Sequence, residues 1–379
     1  MRFGARQNTH GAPFNRIGVD MRLPCSALVL VLASLTLTPA QAQVLRRADD
    51  MAPVAAPAQE PPKQAVKRRR SPKPADATEL QAAARASAQD VAACGQMQAA
   101  DAAIAGCARV IADDKQKPKG RAAAFYNRAN AHAAKGDHAA AIADYDEAIK
   151  LAPKNPRAYN NRGTSRADSG EADPAIADFS EAIRQDARFA SAYLNRANAY
   201  AAKGETARAL EDYASAIRLN RRSVNAYLAR GALLLAGGET VKARADLKQA
   251  VALERHNAYA LLWHDIAERR GKQKGVLAAD RKATKGLDMK TWPAPVVQLF
   301  SGDLKPDALL SAADNPSAAV KTAQTCEANF YGGEHALIDG KRDEAVKLFT
   351  LAAKECPRGF LEGIAAAAEL KALGEKAAN

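Results

Sequence analysis

The chain has 379 residues, 47% of them apolar but only 5% aromatic, and a formal net charge of +13. The first 88 residues carry 13 Lys and Arg against 6 Asp and Glu, whereas the rest carries 42 against 36. Over half of the positive excess therefore lies near the N-terminus, which argues against a basic nucleic-acid-binding face elsewhere; no nucleic-acid partner is predicted.

In chain order, residues 1–42 read as an export signal, with translation starting at Met1 or at Met21. Arg22 precedes the apolar run from Ala27 to Leu37, and Ala40-Gln41-Ala42 supplies the small residues before Gln43. A basic start, a short apolar centre and an A-x-A end predict cleavage between Ala42 and Gln43 and a periplasmic destination. The run is too short to span a bilayer comfortably. Cys25 lies before it, out of place for lipid attachment. Residues 43–87 form a predicted disordered linker, with Pro53, Pro57, Pro61, Pro62, Pro72 and Pro74 and almost no bulky apolar residue. Its Lys67-Arg68-Arg69-Arg70 run reads either as a solvated spacer or as an electrostatic contact with an anionic envelope surface.

Residues 88–121 read as a degenerate capping repeat, ahead of the regular units that begin at Ala122. Four cysteines remain after signal removal, Cys94, Cys107, Cys326 and Cys356, and an even number in an exported chain predicts disulfides. Cys94 and Cys107 fall on the two helices of one hairpin. Cys326 and Cys356 fall at the start of the first helix and the end of the second helix of another. The expected pairs are Cys94–Cys107 and Cys326–Cys356.

Residues 122–257 repeat every 34 residues, in four units that begin at Ala122, Pro156, Ala190 and Val224. Ala141, Ala175, Ala209 and Ala243 form one column; Tyr145, Phe179, Tyr213 and Leu247 another; Ala148, Ala182, Ala216 and Ala250 a third. Gly136, Gly170, Gly204 and Gly238 break each unit into two helical segments, and an acidic or polar residue after the Gly suits the start of the second. The alanines let paired helices approach, and the large residue fills the space between units. The period and these columns resemble a tetratricopeptide array. No unit buries its own apolar face, so an all-α solenoid of stacked hairpins is predicted, with a concave groove as the candidate functional surface.

Two charged columns run through the array. Arg128, Arg162, Arg196 and Arg230 lie on the first helices, with His264 following in step; Asp144, Asp178, Asp212 and Asp246 lie on the second. A guanidinium meets a carboxylate bidentately, so structural Arg–Asp pairs are expected to hold each hairpin in register. Asn127, Asn161 and Asn195 form an amide column, with Asn130 and Asn198 one turn further on and Tyr126 beside Asn127. Amides spaced by one repeat can read an extended peptide backbone, since each both donates and accepts. In this the column resembles the asparagine ladder of the O-linked N-acetylglucosamine transferase superhelix. The alternative is that these amides bond neighbouring helix ends. Tyr126, Ser191 and Leu194 stand where the basic carboxylate clamp of chaperone-binding tetratricopeptide domains would need cations.

Residues 258–325 read as a partial repeat, Ala258 to Arg270, followed by an irregular helical segment. The repeat pattern returns over 326–379, with a last helix from about Arg358 to Leu373 expected to cover the end of the stack. Trp292, Phe300, Gly302, Glu327, Asn329-Phe330-Tyr331, Gly333, Leu348-Phe349, Phe360, Glu362, Glu369-Leu370 and Leu373-Gly374 resemble the NlpI family of tetratricopeptide envelope lipoproteins. That resemblance implies a non-catalytic periplasmic adaptor that organises peptidoglycan hydrolases and a processing protease. This chain departs from it in lacking a lipid-accepting Cys after the signal.

No phosphate-binding loop, zinc spacing or nucleophile motif is present, so no enzyme, cofactor or metal site is predicted. The expected function is a protein- or peptide-binding scaffold. A holdase chaperone using the same groove is the alternative, and an enzyme built from scattered residues is a more distant one.

Overall fold

A computed structural model describes residues 86–96 and 99–375. The expected export signal, and all but the last two residues of the expected linker, lie outside the described residues. Among these, every element is helical, and no helix is long and apolar enough to cross a membrane.

Helices α1 (Ala88–Cys94) and α2 (Ala100–Ala112) form the leading hairpin. Ser87 caps α1 by accepting from the Asp90 amide, while the Asp90 carboxylate accepts from the Ser87 amide in return. The four repeats follow as α3 (Pro118–Ala134) and α4 (His138–Leu151), α5 (Pro156–Ser169) and α6 (Ala172–Gln185), α7 (Ala190–Ala202) and α8 (Thr206–Leu219), then α9 (Val224–Ala236) and α10 (Thr240–Leu253). Gly136, Gly170, Gly204 and Gly238 all adopt positive φ between the paired helices, a conformation that costs glycine little. Helix α3 starts four residues ahead of the repeat boundary because Pro118 supplies a first-turn residue with φ already set.

The small-and-large columns meet inside each hairpin. A Cβ on Gly163 would lie 2.8 Å from the Phe179 ring, and one on Gly231 would lie 2.7 Å from Leu247. The first and third repeats carry Ala129 and Ala197 at this position, opposite Tyr145 and Tyr213. Gly163→Ala is therefore expected to lower stability by about 1–2 kcal/mol, over-packing outweighing the helix propensity gained. Chemical denaturation would measure it. Installing the first repeat's set, Gly163→Ala with Thr164→Asn and Phe179→Tyr, should recover most of the loss.

Beyond the array come α11 (Ala258–Arg270), the short α12 (Val276–Ala279), a 3-10 turn (Arg281–Thr284), α13 (Ala294–Ser301) and α14 (Pro306–Ala312). They replace the second helix that a fifth repeat would have. Next come α15 (Ala318–Ile338), α16 (Arg342–Glu355) and α17 (Leu361–Ala372). Helix α15 is 21 residues long and begins eight residues before Cys326, so the expected boundary at 326 falls inside it. The alanine-rich opening of α15 extends the helix by two turns.

Helix α17 does more than cover the end of the stack. One face packs on α16, and another reaches back to α9 of the fourth repeat. Leu361, Ile364 and Ala368 join the apolar cluster of Leu194, Ala197, Tyr200, Ala201, Ala229 and Leu233 from α7 and α9. Arg358, just ahead of α17, donates to the Ser169 carbonyl at the end of α5, 3.1 Å away. A single large core joins α9 to α17, with Trp263, Phe300, Phe330, Tyr331 and Phe349 fully buried in it.

Candidate peptide-binding groove

The first helices of successive repeats, α3, α5, α7 and α9, touch one another in a row, whereas the second helices make their main contacts with their own partners and the next first helix. The row of first helices is therefore the inner wall of the superhelix, and its exposed surface is the groove.

Each repeat holds its hairpin with the same two-pronged contact. Arg128 donates through Nε and Nη2 to both carboxylate oxygens of Asp144, at 2.7 Å each. Arg162 does so to Asp178, Arg196 to Asp212 and Arg230 to Asp246. The four aspartates are buried. The carboxylate hydrogen bonds hold the guanidinium groups of Arg128, Arg196 and Arg230 above the usual arginine value, against the opposing effect of burial. A column not anticipated from the sequence supports these pairs. Phe125, Tyr159 and Tyr193 lie three residues before the arginines and place their rings 5.4–5.8 Å from the guanidinium carbons. The signal was present as an aromatic at every 34th residue, ending in Tyr227. His264, in step with the arginines, has no aspartate opposite because the second helix is missing there. It lies 3.3 Å from Glu268 of its own helix instead.

The amides sit on the inner wall, half-buried rather than fully exposed. The Asn161 Nδ2 donates to the Tyr126 hydroxyl at 3.1 Å and to Asn130 Oδ1 at 2.9 Å, both in the preceding repeat. Asn195 repeats the pattern one unit on, donating to Asn160 Oδ1 at 3.1 Å. Asn160 in turn donates to Asn161. Asn130 and Asn198 also accept from the Tyr145 and Tyr213 hydroxyls behind them. Burial pushes both phenols well up, so they stay protonated and donate. That fixes each amide with its oxygen to the wall and its Nδ2 turned away from the hydroxyl. The side chain of Asn127 makes no hydrogen bond among the described residues. The ladder thus bonds neighbouring helices, while the Nδ2 groups of Asn130 and Asn198 and the whole amide of Asn127 keep hydrogen-bonding capacity. The roles of Asn160 and the tyrosine partners are not evident from the repeat columns alone; the clue is that Asn at the ladder's second position occurs only where the inter-helix residue is Tyr.

The groove is not uniformly open. Helix α17 lies against the third and fourth repeats, so the free inner wall is that of α3 and α5, with Tyr126, Asn127, Asn130 and Asn161.

Cys94 and Cys107 are joined between α1 and α2, and Cys326 and Cys356 between α15 and the end of α16, with Cα separations of 4.5 and 4.8 Å.

The repeats match known families. A TPR-repeat family matches residues 129–170, and the tetratricopeptide-repeat family matches residues 160–222 and 194–260. Among solved structures, PilF of Pseudomonas aeruginosa is similar over 65% of this chain and 97% of its own, at 14% identity and a TM-score of 0.42. MamA from Desulfovibrio magneticus RS-1, from residue 41 onward, is 17% identical over 46% of this chain and 99% of its own, with a TM-score of 0.40. YrrB, described as a TPR protein with an unusual peptide-binding site, is 17% identical over 45% of this chain and 86% of its own, with a TM-score of 0.39. The 34-residue period, the repeated hairpins and the family matches lead to one conclusion: residues 129–260 of this chain are a run of tetratricopeptide repeats.

Proposed function

We propose that this chain is a non-catalytic adaptor of the bacterial periplasm, which holds an extended segment of a partner protein against the inner wall of its first two repeats. The observation that carries this reading is the pair of amides at Asn127 and Asn130 on the uncovered wall of α3, which are positioned by the fold yet keep unused hydrogen-bonding groups. Amides one helical turn apart can meet the carbonyl and amide groups of an extended backbone and do not depend on its side chains. The export signal read from the sequence supports the compartment, and the basic linker supports contact with an anionic envelope. The resemblance to NlpI favours peptidoglycan hydrolases or a processing protease as partners.

The test begins with affinity capture from the native host's envelope. A few stoichiometric partners support an adaptor; a broad range of unfolded clients points to a holdase. Calorimetry with a captured partner then separates the amides. Asn127→Ala breaks no hydrogen bond within the fold, so it is expected to leave thermal stability unchanged and weaken binding about 2- to 12-fold, the net worth of one hydrogen bond. Asn161→Ala breaks three bonds between and within repeats and is expected to lower stability by about 1–3 kcal/mol. Equal affinity of wild type and Asn127→Ala would remove the ladder from the binding surface.

A further inference from the structure

The seam between α15 and α17 holds four carboxyl groups in two facing pairs. Glu327 and Glu334 lie seven residues apart on α15, and Glu362 and Glu369 seven apart on α17, so each helix turns both of its carboxyls to one stripe. All four are buried, with exposures of 3%, 0%, 7% and 2% in that order. In the first pair, Glu327 accepts from the Tyr259 hydroxyl at 2.9 Å and from Trp292 Nε1 at 2.8 Å. Glu362 accepts from the Tyr331 hydroxyl at 3.0 Å. These donors are neutral. In the second pair, Arg270 of α11 bonds Glu369 and reaches Glu334 at 3.5 Å. The Glu334 Oε1 is buried without a hydrogen-bond partner among the described residues. Of the four carboxyls, only Glu334 and Glu369 thus contact a guanidinium, and they share one. From α7 and α9, Leu194, Tyr200, Ala201, Ala229 and Leu233 pack against Leu361, Ile364 and Ala368 of α17, and the charged groups near the helix include Glu205 and Arg208 beside Lys371 and Arg342 on the Leu373 carbonyl.

We propose that α17 is a proton-locked plug, which stays in the groove of the third and fourth repeats while each carboxyl pair keeps a proton and lets go when those protons are lost. Two carboxylates at one buried site cannot both ionise without strong repulsion, and a buried carboxylate oxygen lacking a donor is costliest when charged. The chain around α17 suits a movable element. The Cys326–Cys356 disulfide pins everything up to Cys356 onto α15. Only Pro357, Arg358 and Gly359, the last at φ 79°, separate that anchor from the Phe360 cap of α17. A released helix therefore swings on a short tether and uncovers Leu194, Tyr200, Ala201 and Leu233.

The direction with pH comes from burial first and the facing carboxyl second. Together these push Glu327 up to about 8 and Glu334 up to about 8, and burial raises Glu362 and Glu369 as well. The docked state thus holds protons that an undocked, hydrated α17 and α15 would lose above the usual glutamate value near 4.5. The contribution to docking is full below that value and disappears as the pH rises through about 8. Within that window each such proton raises the opening equilibrium about tenfold per pH unit.

Hydrogen exchange of the full chain between pH 6 and 9, corrected for intrinsic exchange, tests the plug without requiring any partner. Its outcome is thus separate from that of the groove-binding reading. Protection of residues 361–372, and of α7 and α9 beneath them, is expected to fall at least tenfold across this range, while α3 to α6 stay unchanged. Glu327→Gln with Glu334→Gln, which keeps a neutral side chain of the same shape, is expected to flatten the dependence. If that pair does not fold, Glu362→Gln with Glu369→Gln serves, and the wild-type profile alone still decides. Protection of α17 that does not change with pH, or that falls equally along the whole chain, overturns the proposal.

Discussion

Replacing Asp178 by alanine is expected to cost about 3 kcal/mol, at the low end of the range for breaking a buried ion pair. Asp178 is the most heavily used of the repeated aspartates. It accepts from Arg162 at 2.9 and 2.6 Å and also from Arg166 at 2.8 Å. Both arginine side chains are largely shielded, at 14% and 21% exposure, so the substitution leaves two poorly hydrated cations. Arg162 retains Asp146 of the preceding repeat, and Arg166 loses its one carboxylate partner among the described residues. The residual exposure lets water recover part of the loss, which is why the low end applies. Asp246→Ala strands a single arginine and is expected to cost about 2 kcal/mol by the same argument. Chemical denaturation of the two variants side by side checks the order. Arg162→Met with Arg166→Met and Asp178→Leu removes the charges together and should be less damaging than Asp178→Ala alone. Equal stability of Asp178→Ala and wild type would mean that solvent already screens the pairs.

Loss of the Cys326–Cys356 bridge is expected to cost about 3.5 kcal/mol, from the loop-closure entropy of its 30-residue span. The Cys94–Cys107 bridge spans 13 residues and should contribute about 3 kcal/mol on the same scale. The two losses are expected to show differently. In a stacked array, damage at one end stays local, so Cys94→Ala with Cys107→Ala should fray α1 and α2 and leave the main melting transition in place. Cys326→Ala with Cys356→Ala cuts into the core shared by α9 to α17 and should lower that main transition. Differential scanning calorimetry reads both. A shared response of the two variants would contradict the division into a thin leading hairpin and a thick C-terminal core.

What could be read from the sequence was whatever recurs at short range. The 34-residue period and the alanine and glycine columns are local consequences of hairpins stacking on identical neighbours. So is the Arg128-to-Asp144 spacing, because both residues sit within one hairpin. The pairing of Asn130 with Tyr145, and of Asn198 with Tyr213, was as local but less visible, since it occurs in alternate repeats only. The course of α17 was not legible at all. Leu361 and Ile364 meet Leu233 and Ala229 over a separation of about 130 residues, and no periodic column relates them. Glu327, Glu362 and Glu369 stood out only through a family resemblance. Their pairing emerges once α15 and α17 lie side by side.

The position of α17 also bears on the order in which the molecule is made. A nearest-neighbour array can fold as it emerges, each hairpin settling on the one before. The four repeats and their inner wall are thus complete while more than a hundred residues remain to be added. For that interval Leu194, Tyr200 and Leu233 face solvent, and the groove is as open as it will ever be. The last helix among the described residues is the one that covers them. A chain stopped before Leu361 would stay permanently in that early condition, with folded repeats and an uncovered apolar wall.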